Sequence, residues 1–300
     1  MAVLRHSVTV LPVEPEWLRE VTALMCDFAE STRARGRDVV LGDGTPVADL
    51  QLVRGRHLRP GARYALTGAG ATEQMTMVVR EWRRGSAVAV EQLLSSDELT
   101  ARLTLRLRSP DQPRLVEAEA RMRGPADSGV LQRGSGKARI DLASWWSAAA
   151  LPPGALPVAR APATARVKHL LADARLYLRP QRTDDGRWRV EVTVTVRGRW
   201  LLRPLAAVAL LVAGGPLRRE FRSGAERAAE GWNAAIGELL ALGPDELRAE
   251  LARHAAEGTP QGREGAGDGT GAGDGTGAGD GTGAGDGTGD RDRKGAGEGA

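Results

Sequence analysis

The stretch RWRVEVTVTVRG, residues 187–198, alternates apolar and polar side chains along its whole length. Trp188, Val190, Val192, Val194 and Val196 fall on one side of a pleated strand, and Arg189, Glu191, Thr193, Thr195 and Arg197 fall on the other. Past Gly198 the period lengthens from 2 to 3.6. Leu217, Phe221, Ala225, Ala228, Trp232, Ile236 and Leu239 then form a single helical stripe. A half-buried strand followed by a helix with one apolar face predicts a long C-terminal helix laid across a curved antiparallel sheet.

The rest of the chain extends this α+β expectation. Residues 4–11 read as a strand ended by Pro12. Pro15 suits a first helical turn, and Trp17, Val21, Leu24 and Phe28 carry a helix to about residue 35. Residues 49–56, 63–67, 74–82, 87–94, 99–108 and 115–123 read as short strands separated by turns, which favours a meander over crossover units. In the clearest of them, Leu99, Ala101, Leu103, Leu105 and Leu107 share one face and Arg102, Arg106 and Arg108 lie on the other. Residues 124–166, rich in Gly, Ala and Pro, are expected to interrupt the meander as an insertion, with one short helix at 141–150 carrying Trp145 and Trp146. Strands at 174–179 and 187–197 follow, joined by Thr183-Asp184-Asp185-Gly186, a strong hairpin signal. Gly243 reads as a helix cap, and Pro244 opens a last helix to about residue 256.

Composition divides the chain into an α+β domain, 1–257, and a tail, 258–300. Residues 261–300 hold 17 of the 39 glycines, four GAGDGT hexads and no Val, Ile, Leu, Met or aromatic residue. Such a segment buries no apolar surface and is expected to be disordered. Residues 1–260 carry 38 basic and 30 acidic side chains. The arginines are scattered over strand faces without a consecutive basic arm, so a solvated, mildly basic surface is expected, with no nucleic-acid partner and with peripheral contact to an anionic membrane as the minority reading. Residues 200–217 are apolar apart from Arg203, but the longest unbroken run, 204–212, rises only about 14 Å and is too short to span a bilayer. The N-terminus lacks the apolar core of a secretory signal, which makes the cytoplasm the expected compartment.

Catalytic motifs are tested and rejected. Gly134-Ser135-Gly136-Lys137 has Ala138 where a phosphate loop needs a hydroxyl, and Gly68-Ala69-Gly70 is followed by a strand instead of a helix. No GxSxG or HExxH is present, and His6, His57, His169 and His254 have no paired ligand spacing. The single cysteine, Cys26, excludes an internal disulfide and reads as a structural thiol in a helix. No catalytic residue, metal or cofactor is assigned on these grounds.

The segments HSVTVLPVEPEWLREV (6–21) and RWRVEVTVTVRGRWLLRPL (187–205), the latter with its following helix, carry a resemblance. Strand, helical segment, long meander, final strand and C-terminal helix together resemble the helix-grip fold of the START/SRPBCC superfamily. That superfamily includes polyketide cyclase-like and lipid-transfer proteins. The resemblance implies a cavity between sheet and helix, holding an apolar or amphipathic small molecule, with Phe221, Trp232 and Ile236 lining or sealing it. Two alternatives stay open: a cyclase- or dehydratase-type enzyme using the same cavity, and a membrane-surface or protein-interaction module.

Overall fold

The computed structural model describes residues 2–66, 74–96, 99–125, 133–152, 155, 159–198 and 214–258. Thirteen strands lie in one antiparallel sheet among them. They are β1 (Ala2–Val10), β2 (Arg33–Arg35), β3 (Asp38–Val40), β4 (Pro46–Arg54), β5 (Arg63–Leu66), β6 (Gln74–Arg83) and β7 (Ala87–Ser95). The series continues with β8 (Thr100–Arg108), β9 (Leu115–Arg123), β10 (Arg133–Asp141), β11 (Ala163–His169), β12 (Ala172–Arg182) and β13 (Trp188–Gly198). Four helices accompany them: α1 (Pro15–Ser31), α2 (Leu142–Ala149), α3 (Gly214–Ala241) and α4 (Pro244–Glu257). Every strand from β2 to β13 pairs with its neighbours in sequence, and β1 closes the series against β13. The chain divides into two units, Met1–Gln261 and Gly262–Ala300.

Alternation sets the register. Val190, Val192 and Val194 of β13 stand opposite Val8, His6 and Leu4 of β1, and opposite Pro180, Leu178 and Leu176 of β12. A slip of one residue would turn Trp188 and four valines to the other face, so the pairing is strongly specified here. At the other edge, Gly55 has φ of +88°, and a Cβ there would meet the Ala62 Cα at 2.9 Å. Glycine is required at this turn by both conformation and space.

The sheet cannot lie flat. A flat sheet would hold β1 and β2, its two edges, roughly 58 Å apart at about 4.8 Å per strand spacing. The chain joining them is α1 plus a few extended residues and reaches about 45 Å at most. The edges must therefore approach each other, with α1 bridging them. Its far end is held at the β6–β7 turn. There the Arg84 guanidinium bonds Asp27 and, at 3.1 Å, Glu30, while the Trp82 indole donates to Glu30 at 2.9 Å. One core cluster gathers Val10, Val13, Trp188, Val190 and Val192 with Ala149 of α2 and Ala229 of α3. A second gathers Val39, Leu52, Ala62, Tyr64 and Val79 near the opposite edge.

This architecture overturns the helix-grip expectation. The C-terminal part is two helices that break at Gly243 as its cap reading expects, but neither lies across the sheet. Instead α3 packs along edge strand β1, while α4 packs on β4 and α1. The expected insertion is also corrected: β10 and the start of β11 fall inside 124–166 and continue the meander. Strand β10, RGSGKARID, has the glycine content of a loop and low intrinsic strand preference. It is extended because β9 and β11 supply hydrogen bonds on both sides, which overrides local propensity. The helix at 141–150 forms as α2, with the Asp141 carboxylate accepting from the Ser144 N–H at 2.9 Å as its cap. The apolar run 200–213 and the tail from residue 259 lie outside the described residues. No helix among the described residues is long and apolar enough to cross a membrane.

Candidate functional site

The middle strands, β8 to β12, separate two surfaces of opposite chemistry. Period-2 alternation sends arginine, lysine, glutamate and threonine to one face and leucine, valine, alanine and glycine to the other. On the polar face, side chains of all five strands line a trough of about 680 Å³. Six of its lining residues are cationic (Arg106, Arg108, Lys137, Arg139, Arg166, Arg175), against two carboxylates, Glu117 and Glu119. Further along β9, β10 and β11, a second hollow of about 470 Å³ is lined by Arg121, Arg123, Arg133 and Lys168 without a carboxylate.

The register brings like charges face to face. Lys137 of β10 stands opposite Arg166 of β11, which stands opposite Arg175 of β12. Arg102 faces Arg121, and Arg123 faces Arg133. Like charges directly opposite destabilise a sheet, whereas opposite charges there stabilise it by about 0.2–1 kcal/mol per pair. Some cations are compensated: Glu119 takes Arg121 at 2.9 Å and Lys137 at 3.2 Å, and Glu117 takes Arg108 at 3.0 Å. The hydrogen bond from Arg121, followed by that from Lys137, holds the Glu119 carboxyl below the ordinary carboxylate range. Arg175, Lys168, Arg123 and Arg133 have no carboxylate within 4 Å among the described residues.

The opposite face is apolar and, at its centre, uncovered. Leu105, Ala118, Ala138, Ala165 and Leu176 form one cross-strand row, and Leu103, Ala120, Gly136, Val167 and Ala174 form the next. None of these ten residues is fully buried. Leu105 is 39% exposed, and Met122 and Val167 are each 51% exposed. Toward the sheet's ends the same face is sealed. Trp145 of α2 meets Trp188 edge to face at 5.8 Å, and the Trp146 indole donates to the Val13 carbonyl at 2.9 Å. The tryptophan pair therefore docks α2.

Phe221, Trp232 and Ile236 lie along α3, whose packed side carries Phe221, Ala229 and Ile236, while Trp232 and Ala228 of the expected stripe are exposed. Phe221 and Ile236 pack against the core cluster of β1 and β13. Trp232 is 42% exposed and donates its indole N–H to the Leu11 carbonyl at 3.0 Å. Asn233 beside it accepts from the Leu11 N–H at 2.7 Å and donates to the Thr9 carbonyl at 3.2 Å, pinning the end of β1. The hollow between α3 and β1 measures about 100 Å³ and is lined by Arg5, His6, Arg218 and Arg222 besides Leu4 and Phe221. That volume suits a few waters and not a lipid- or polyketide-sized molecule. Among the described residues, no group of three or more His, Cys, Asp or Glu side chains is placed to hold a metal ion.

One buried polar chain lies near the opposite edge. The Thr32 hydroxyl donates to the Ala29 carbonyl at 2.6 Å, so it accepts from His57 Nε2 at 2.9 Å. His57 Nδ1 is then the acceptor for the Tyr64 hydroxyl at 3.0 Å, which in turn accepts from the Leu58 N–H at 2.8 Å. Every hydrogen has one place, and the arrangement needs a neutral imidazole. Burial pushes the His57 pKa down, against a smaller upward effect of its bond with Thr32. The unfolded chain therefore takes up a proton at a pH where the folded chain does not. This contribution is fully present above the ordinary histidine pKa of about 6.5 and is lost as pH falls below it. Urea titrations between pH 7.5 and 5 are expected to show stability declining with acid, with a shallower decline in His57→Gln.

Comparison of the chain with family models, with curated proteins and with solved structures returns no match.

Proposed function

We propose that the protein binds an apolar or amphipathic small molecule on the apolar face of β8–β12, at the centre of the curled sheet. The observation that carries this reading is the contrast along one continuous face. Helices and core side chains seal it at both ends, whereas Leu105, Met122 and Val167 stay exposed at the centre. Exposed apolar side chains grouped on one sheet face, rimmed by packed elements, favour occupation by an apolar ligand. Alanine and glycine rows between the leucines of β8 and β12 leave depth for an aliphatic chain lying along the strands. The location differs from the one expected under the C-terminal helix, where the hollow is too small and carries three arginines.

The test is titration of the full chain with a fluorescent fatty acid, together with Leu105→Glu and Val167→Glu. Both positions are exposed, so either substitution is expected to change stability by no more than about 0.5 kcal/mol. Each carboxylate would meet the aliphatic chain, and affinity is expected to fall about tenfold or more, equivalent to about 1.4 kcal/mol. Unchanged affinity in both variants, or no saturable binding by the native chain, overturns the reading.

A further inference from the structure

The geometry points to a second, separate binding site on the opposite face: the cationic trough and the hollow that continues it take an extended phosphate polymer of inorganic polyphosphate type. The argument starts from a cost. Strand pairing places Lys137, Arg166 and Arg175 in one cross-strand row, and Arg123 against Arg133 in another. Glu119 and Asp173 take Lys137 and Arg166 at 3.2 and 3.4 Å, which leaves Arg175, Arg123 and Arg133 facing other cations without a carboxylate partner among the described residues. A solvated face has no need of such rows. An anion lying across them converts the repulsion into attraction, and arginine forks suit phosphate oxygens in bidentate fashion.

Extent and shape narrow the class. From Arg133 to Arg139 the basic stripe follows β10 for about 20 Å, with same-face positions about 6.8 Å apart. The two hollows together present ten cations and two carboxylates. A compact anion would engage only a few of these, so a long and densely charged one is favoured. Sequence-tolerant binding of single-stranded nucleic acid relies on aromatic platforms for the bases. Of the residues lining the two hollows, Tyr177 is the single Phe, Tyr or Trp, and it is half-buried. A membrane is a plane, whereas this site is a hollow lined by residues of five strands.

The experiment is fluorescence anisotropy with the full chain and labelled inorganic polyphosphate of some tens of units. Orthophosphate, oligothymidylate of equal charge, and vesicles with and without phosphatidylserine are run beside it. Saturable polyphosphate binding is expected, with affinity falling about 100-fold between 50 and 200 mM salt if about five phosphates are neutralised. Lys137→Gln/Arg166→Gln/Arg175→Gln is expected to weaken binding at least tenfold; it removes repulsion within the row and also the ion pairs with Glu119 and Asp173, so circular dichroism and Tm are measured beside it to show that the variant is folded. A second variant, Arg123→Gln/Arg133→Gln, tests the adjoining hollow and is expected to weaken binding severalfold. No binding at 50 mM salt, tighter binding of oligothymidylate or of anionic vesicles, or full affinity in both folded variants overturns the proposal. Binding of the fluorescent fatty acid is expected to be unaffected by either variant, which keeps the two sites distinguishable.

Discussion

Trp188→Ala is expected to destabilise the protein by about 3–5 kcal/mol, more than truncation of any exposed side chain on the same sheet. Trp188 is only 5% exposed and stands where three elements meet. Its ring meets that of Trp145 from α2 edge to face, its strand pairs with β1 through Val10, and its cluster includes Ala229 of α3. Removing it leaves a cavity that rigid strands on both sides cannot close, and it loses an aromatic pair worth about 0.5–1.5 kcal/mol beyond its area. Trp188→Phe keeps most of the volume and should cost roughly half as much. Chemical denaturation with Val167→Ala as control checks the expectation: Val167 is half exposed, and its loss should stay within about 0.5 kcal/mol. Similar losses at the two positions would place the principal core elsewhere.

Tyr64→Ala is the second large expected loss, about 3–5 kcal/mol from ring deletion alone. Tyr64 is 1% exposed in the cluster of Val39, Leu52, Ala62 and Val79, far along the sheet from Trp188. Its hydroxyl also satisfies the Leu58 N–H and His57 Nδ1. Tyr64→Phe separates the two contributions. It keeps the ring but leaves that donor and that acceptor unsatisfied, at about 1–3 kcal/mol. Because His57 loses the hydrogen bond that fits its neutral form, the phenylalanine variant should also show a weaker pH dependence below 6.5. A Tyr64→Phe variant as stable as the parent, with an unchanged pH profile, would remove the buried relay from the account.

Much of the meander is legible in the chain because alternation is a local property. Strands at 63–66, 87–95, 100–108, 115–123 and 188–198 are written in their own side chains, as is the hairpin at Thr183–Gly186. Strand β10 is not, since Gly134, Ser135 and Gly136 prefer no sheet, and only its neighbours make it one. The two sites differ in the same way. Arg102, Arg106 and Arg108 read as one solvated strand face, but nothing local places Lys137 beside Arg166 and Arg175, which come from three separate strands.

Side-chain period therefore decides which residues share a face, and turn chemistry decides where each strand ends; both act within a few residues and both are present in the linear chain. Strand order, the number of strands, and where the helices settle depend on pairings between residues far apart. The alternating stretch at 187–198 specifies a strand with one buried face. Its hairpin partner β12 is announced by the turn at Thr183–Gly186, but its other partner, β1, and the placement of α3 along the sheet's edge instead of across it come only from contacts between residues far apart in the chain.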